Sequence, residues 1–391
     1  MRRLPQRLLP LVVIAALALA ALAAAASAAE IGARAEIGSA TKLVNRSLKA
    51  LVALNDAPPG GIAIVQRKGE RRHVIKAGYG NLMPQERPKA TDHMRIASVS
   101  KAFSGAVALS LVEEGRITLD TTIGERLPDL PAAWHAVTLR QLLHHTSGIP
   151  DFTQDADFLA ALAADPQRHF LPRELIDFVA DQPLGFAPDS QYRYSNSDNI
   201  IVGLMAEAAT GVPYETLLAT HVYTPLGMKD TSLPSESPMP EPFIHGYDAL
   251  LDPPEDVSTV ISPSGAWASG GIVSTPADLN RFIRGYVGGR LFSKELRAQQ
   301  FAFLRGDSDP PGPANNFAGL AVFKYPMNCG TVFGHTGSFP GYTQFTAASR
   351  NGQASVTVSV NAQIGPGDGK VFNALLRVER HAVCAALTRG R

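Results

Sequence analysis

The chain has 391 residues, 36 Lys+Arg against 35 Asp+Glu for a formal charge of +1, and is 45% apolar, 7% aromatic and 18% charged. A near-neutral balance without runs of like charge gives no field for gathering phosphates or anionic lipid, which argues against nucleic acid as a partner. The length accommodates two domains, and the content of Leu, Ile, Val and Phe is that of a chain that folds.

The first segment is the exception. Met1-Arg2-Arg3-Leu4-Pro5-Gln6-Arg7 is basic, residues 8–25 are an apolar run of mostly Ala and Leu, and Ala26-Ser27-Ala28 are small. This is the pattern of a secretory signal peptide over 1–29, cleaved near Ala28 or Ala29. A membrane anchor needs about 20 residues of stronger hydrophobicity, and no Cys stands near the cleavage point to carry lipid. A secreted, extracytoplasmic mature chain is therefore expected, with no stable membrane anchor.

Helical spacing over 42–54 precedes the break Pro58-Pro59-Gly60-Gly61, and 62–65 with 73–78 read as a hairpin around Lys68-Gly69. Residues 98–114 have the pattern of a mostly buried helix ending at Gly115. Helical stretches follow at 139–144, 158–164, 173–179, 199–210 and 277–286, with no convincing hairpin between them. Strand character returns at 319–323, 331–333, 343–348 and 354–360, the last two joined by the turn signal Asn351-Gly352. A final helix is expected over 370–387. These elements give an α/β (α+β) fold: one antiparallel sheet assembled from both chain ends, flanked by terminal helices and carrying an inserted all-helical domain. The expected division is a discontinuous sheet domain, 30–97 with 290–391, and a mainly helical domain, 98–289. In an oxidising compartment Cys329 and Cys384 are expected to pair, the alternative being two unpaired buried thiols.

Ser98-Val99-Ser100-Lys101 is an SxxK element, which puts the Lys amine on the helical face of the Ser hydroxyl, one turn along. A second match, Ser39-Ala40-Thr41-Lys42, lies on an amphipathic helix and reads as structural. Ser98 differs because it opens a buried helix, whose free N–H groups favour a developing oxyanion, and because a buried Lys101 needs a reason to be there. Tyr194-Ser195-Asn196 follows 96 residues after Ser98, and His335-Thr336-Gly337 follows 141 residues after Tyr194. Each triplet is common by itself, as Tyr79-Gly80-Asn81 and His145-Thr146-Ser147 illustrate; their order and context are not.

With these three elements the chain resembles the penicillin-recognising serine hydrolases, the β-lactamase-related enzymes whose motifs are SxxK, YxN and K/HTG. Within that group it resembles in particular the secreted serine D-alanyl-D-alanine carboxypeptidases, through His335 before Thr-Gly and a Cys just ahead of that element paired with one in the last helix. Leu142-Leu143-His144-His145-Thr146-Ser147-Gly148, Pro225-Leu226-Gly227-Met228 and Gly334-His335-Thr336-Gly337 agree with this. Ser197-Asp198-Asn199 also spells the SDN element of class A β-lactamases, but Lys is absent at 335 and a deacylating Glu is absent downstream, so Tyr194 is preferred.

The resemblance implies Ser98 as nucleophile and Tyr194 as general base, held as a phenolate by Lys101 with His335 as a second source of charge. It also implies an oxyanion hole from the N–H groups of Ser98 and Ser338, and substrate contacts from Asn196, Thr336, Gly337 and the pocket aromatic Trp267, for which a core role is equally open. The carboxypeptidases carry an Arg for the substrate's terminal carboxylate where this chain has Phe323; Lys324 beside it points to the opposite face of a strand. Expected substrates are a small peptide, ester or β-lactam, handled by a monomer without metal or cofactor; His144-His145 lacks a metal-binding context. A D-alanyl-D-alanine carboxypeptidase leads, with an esterase or class C-like β-lactamase on the same fold, or a non-catalytic binder of β-lactam or cell-wall peptide, as alternatives.

Overall fold

Alternating apolar residues at both ends of the chain place one sheet between two layers of helix. In the computed structural model, which describes residues 38, 40–306 and 309–388, an eight-stranded antiparallel sheet forms the centre. The expected signal peptide and Ser39 lie outside the described residues. Strands β1 (Gly60–Gln66) and β2 (His73–Gly78) come from the N-terminal part. The remaining strands are β3 (Leu304–Arg305), β4 (Phe317–Gly319), β5 (Val322–Met327), β6 (Gly330–Phe339), β7 (Tyr342–Ala348) and β8 (Ser355–Val360). Their order is β2-β1-β8-β7-β6-β5-β4-β3, so that the chain ends meet where Ile64 pairs with Thr357.

Helix α1 (40–51) and the C-terminal helix pack on one face of this sheet, burying Leu48, Leu51, Val378 and Val383 against Val356, Val358 and Phe345. Each such side chain contributes about 1.5–3 kcal/mol on burial. On β8 the intervening residues Ser355, Thr357 and Ser359 are also buried, beneath the helix Pro276–Gly288. There Asn280 Nδ2 donates to Thr357 Oγ1 at 3.4 Å and Ser355 Oγ donates to Asn280 Oδ1 at 3.3 Å, satisfying groups that would otherwise be costly inside. That helix, placed with the helical domain by sequence, rests on the sheet.

Helix α2 (Ser100–Glu113) is the axis of the helical layer, with Phe103 stacked on Phe282 at 3.7 Å between centroids. Helix α3 (Leu139–His144) starts in a capping box of Thr138 and Gln141 and stops where His145 takes a left-handed φ of 57°. Helix α4 (Asn196–Thr210) begins three residues before the start expected, and Asn199 Nδ2 donates to Ser104 Oγ at 2.7 Å to fasten it to α2.

Three further differences from the sequence reading have local causes. The strand expected at 319–323 is two strands, because the chain reverses at Leu320-Ala321, where Ala321 has a φ of 51°. The strand expected at 331–333 runs through to Phe339 and carries the whole HTG element. The insert is not all helical, since Tyr247–Asp248 pairs with Glu255–Asp256 and Met94–Arg95 pairs with Val273–Ser274. Among the described residues no helix is long and apolar enough to cross a membrane.

Cys329, in the turn between β5 and β6, is disulfide-bonded to Cys384 of helix α5 (Gly369–Leu387), closing a separation of 55 residues. For a loop of that size the chain-entropy model gives a stabilisation of about 4 kcal/mol, less any native strain. Replacing both cysteines by Ser is expected to lower the unfolding free energy by about 2–4 kcal/mol in denaturant titrations, with reductant acting on the parent protein in the same way. An unchanged midpoint in both experiments contradicts a stabilising bridge.

Candidate active site

Ser98 stands in a short 3-10 turn, Ala97–Val99, that leads directly into α2. Ala97 ahead of it has a φ of 51°, in the left-handed region that costs a non-glycine residue of order 1 kcal/mol or more. Lys101 follows in the first turn of α2 with no exposed surface at all. Its Nζ donates to Ser98 Oγ at 3.2 Å, to Asn196 Oδ1 at 2.7 Å and to the carbonyl of Ser269 at 2.8 Å. Three acceptors from three chain segments use all three protons of an ammonium. Burial nevertheless lowers Lys101 to about 7, against the opposing pull of Asp151, Asp198 and Asp309.

The YxN element enters α4. Tyr194 precedes the helix, Ser195 is its N-cap and Asn196 its first residue. The Asn196 amide is committed on both sides, since its Nδ2 donates to Asp151 Oδ2 at 2.9 Å and to Thr153 Oγ1 at 3.0 Å while its Oδ1 accepts from Lys101. In this state it links Lys101 to Asp151 instead of waiting for a substrate amide. The Lys101 amine lies over the Tyr194 ring, 4.9 Å from its centroid, and not against its oxygen.

The Tyr194 hydroxyl is buried without a hydrogen bond of ordinary geometry, and burial holds it well above the usual phenol range, with Ser98 as the one neighbour favouring the phenolate. Burial thus opposes the phenolate expected of Tyr194 and favours the neutral phenol. Burial acts on His335 in the same sense, against its charged form. It is fully buried, Nδ1 donates to the carbonyl of Thr336, and burial lowers it to about 3, so that the ring is uncharged and supplies no field. Its face meets Tyr194 at 6.4 Å and the edge of Phe323 at 5.0 Å between centroids.

The HTG element reaches Ser98 through strand register. Strand β5 pairs with β6 only as far as Gly334, opposite Phe323, whereas β7 continues beside Thr336, Gly337 and Ser338. One edge of those three residues is left without a strand partner, and their face at Gly337 rests on the Ser98 turn. A Cβ placed on Gly337 would lie 2.4 Å from the carbonyl oxygen of Ile96 and 3.2 Å from the Ser98 nitrogen, a contact only glycine permits.

The SDN triplet faces away from the reacting groups. Ser197 Oγ donates to Pro150 O at 2.6 Å, Asp198 takes His145 Nδ1 at 2.9 Å, and Asn199 holds Ser104. Trp267 is 6% exposed, with Nε1 donating to Glu215 Oε1 at 3.2 Å and its ring on Tyr214 at 4.9 Å. It is a core residue and does not line the cleft; the turn that contains it presents the Ser269 carbonyl to Lys101. Of the decoys, Lys42 is exposed and Asn81 holds a local turn through Met83 N at 2.9 Å.

A cavity of about 190 Å³ opens at Ser98 and Tyr194 and continues past Thr336–Ser338 and Pro310–Gly312 to Phe372, Leu375, Leu376 and Glu379 of helix α5. Sequence reasoning missed Asp151, Ser269 and Glu379. Asp151 carried a signal only as an N-cap, which it is, accepting from Thr153 N at 3.0 Å. The Ser269 contribution is a backbone carbonyl, to which side-chain patterns are blind.

Residues 33–379 match the family described as Beta-lactamase. A penicillin-binding protein of Bacillus subtilis (strain 168) is 26% identical over 297 residues, 72% of this chain and 64% of that protein. The D-alanyl-D-alanine-carboxypeptidase/endopeptidase AmpH of Escherichia coli (strain K12) is 27% identical over 255 residues, 62% of each chain. The chain thus matches under two thirds of the length of these two relatives. A D-stereospecific amidohydrolase from Streptomyces sp. superposes with a TM-score of 0.74 at 30% identity, covering 85% of this chain and 97% of the other.

With Lys101 lowered to about 7, kcat/KM for acylation is expected to rise as pH increases through that value, because the free amine is the form that accepts a proton. Asp151 favours the ammonium, so Asp151→Asn should move this acid limb to lower pH. A limb that stays in place in the variant, or one centred above pH 9 in the parent, contradicts the assignment.

Proposed function

Because the chain belongs to the β-lactamase family of serine hydrolases, we propose that it is an exported acyl hydrolase that works through an acyl-enzyme on Ser98 and takes small amide, peptide or β-lactam substrates. The observation that carries this reading is the hydrogen bond from Lys101 Nζ to Ser98 Oγ at 3.2 Å in a site that excludes water from the amine.

The Lys101 free amine accepts the Ser98 proton as Oγ attacks the carbonyl carbon. The N–H groups of Ser98 and Ser338, on the turn and strand that Gly337 allows to touch, receive the oxyanion, an effect worth about 2.7–4 kcal/mol per donor in acyl transfer. The proton then passes to the departing nitrogen, with the neutral Tyr194 hydroxyl as relay. Water attacks the acyl-enzyme by the reverse path, and Thr336 and Gly337 hold substrate on the open edge of β6.

A D-alanyl-D-alanine carboxypeptidase is the reading that the motif set supports, and it requires a cation for the substrate carboxylate. Phe323 occupies the position of that Arg, 2% exposed and edge-on to His335, while Lys324 rests on the rings of Phe317 and Phe303 at 4.1 and 5.1 Å. This favours a second reading, an amidase or esterase for substrates without a free terminal carboxylate.

Intact mass after mixing with a p-nitrophenyl ester is expected to show one acyl adduct in the parent protein and none in Ser98→Ala. A peptide ending in D-Ala-D-Ala amide should be cleaved no more slowly than its free acid. A tenfold or greater preference for the free acid would restore the carboxypeptidase reading, and an adduct in Ser98→Ala would remove the nucleophile.

A further inference from the structure

Glu379 lies on the inner face of helix α5, beside Val378 and one turn beyond Leu375 and Leu376, where the other residues are apolar core. It is 3% exposed, and its Oε2 makes no hydrogen bond. Nor does the hydroxyl of Tyr325, a fully buried ring near enough to feel the Glu379 charge. The next residue, Arg380, turns outward and donates from Nε to the carbonyl of Pro313 at 2.7 Å, so it does not pair with the carboxyl. Leaving such a group unsatisfied is costly, and Leu at the same position would not carry that cost. Burial without a cation partner accordingly pushes Glu379 up to about 8.

Glu379 lines the same cavity as Ser98. Phe372, Leu375, Leu376, Pro310 and Pro311 line it too, so that the cavity offers a largely apolar wall with one carboxyl group, alongside Thr336, Thr343 and Gln344. Among the described residues no Lys or Arg lines this cavity, and the amine of Lys101 nearby is turned to Ser98, Asn196 and Ser269. A guest matched to this cavity has an apolar stem and a positive, hydrogen-bond-donating tip. A carboxylate tip would meet a carboxyl and find no counter-ion.

We propose that Glu379 is a specificity-determining residue that selects amide or ester substrates carrying an ammonium group on an apolar stem and rejects those ending in a carboxylate. This rests on the reading of Ser98 as the nucleophile of an acyl hydrolase. It assigns a charge preference to that site and goes beyond the loss of the expected Arg at Phe323.

The test uses three probes of equal length, n-butylammonium, n-butanol and butyrate, as competitors of Ser98 acylation by a p-nitrophenyl ester, which carries no carboxylate, followed by intact mass. The ammonium is expected to compete at least tenfold more effectively than the alcohol, with the carboxylate weakest. Glu379→Gln, an isosteric change, should bring ammonium and alcohol to within about threefold of each other, with a melting temperature equal to or above the parent's, since a buried unpaired acid has been removed. Equal competition by alcohol and ammonium in the parent, or a preference that survives in Glu379→Gln, overturns the proposal. Should the variant not fold, the order of the three probes on the parent protein decides alone. If the p-nitrophenyl ester forms no adduct, the acyl-hydrolase reading fails separately, and calorimetric binding of the same three probes to the parent still tests the charge preference.

Discussion

The site is organised around one constraint, the removal of the Lys101 amine from water. An ammonium cannot be buried without acceptors, and the three it finds come from the Ser98 turn, the start of α4 and the turn of 266–270. Those contacts fix the entry of α4 relative to α2 and so place Tyr194. They also explain why no carboxylate touches the amine. Asp151 acts through the Asn196 amide, leaving Lys101 poised between its two protonation states and not locked as an ion pair. A direct salt bridge would hold the proton and leave Ser98 with no acceptor for its own.

The sheet provides the second half of the arrangement. Because β5 stops pairing at Gly334 while β7 continues to Phe339, a three-residue length of β6 has a free edge, and Gly337 lets the face of the same segment rest on the Ser98 turn. The left-handed Ala97 belongs to the same device, bending the chain into a tight turn against that glycine. Local strain of this kind persists only where surrounding packing enforces it. Here the enforcement comes from α2, buried along its length, and from the layer of helices and strands around it.

Much of this was legible in the sequence because order and spacing carry information that single residues do not. SxxK at the mouth of a buried helix, YxN before another and HTG on a late strand pointed to residues that the fold brings to one cleft, and alternating β-branched residues marked the strands from both chain ends. What escaped was what depends on burial or on backbone. The charges expected on Tyr194 and His335 were read from neighbours, whereas desolvation decides them. Asn196 was taken as free for substrate because its partner Asp151 is 45 residues away in sequence. Trp267 resembled a pocket aromatic, yet its indole is spent on Glu215. Glu379 falls one turn beyond Leu375 on the apolar stripe of the last helix, but only the packing of α5 shows that the carboxyl is buried and lines the cleft.

The central claim is that Lys101 in the resting enzyme is near its midpoint at neutral pH and is the group that takes the Ser98 proton. It is tested most directly by NMR titration of the protein with ¹³C-labelled lysine, the Lys101 resonance being identified by its loss in Lys101→Met. A midpoint close to 7, far below the other lysines, is the result expected from a buried amine without a contacting carboxylate. A Lys101 resonance that stays protonated above pH 9 would contradict the account and return the role of base to Tyr194.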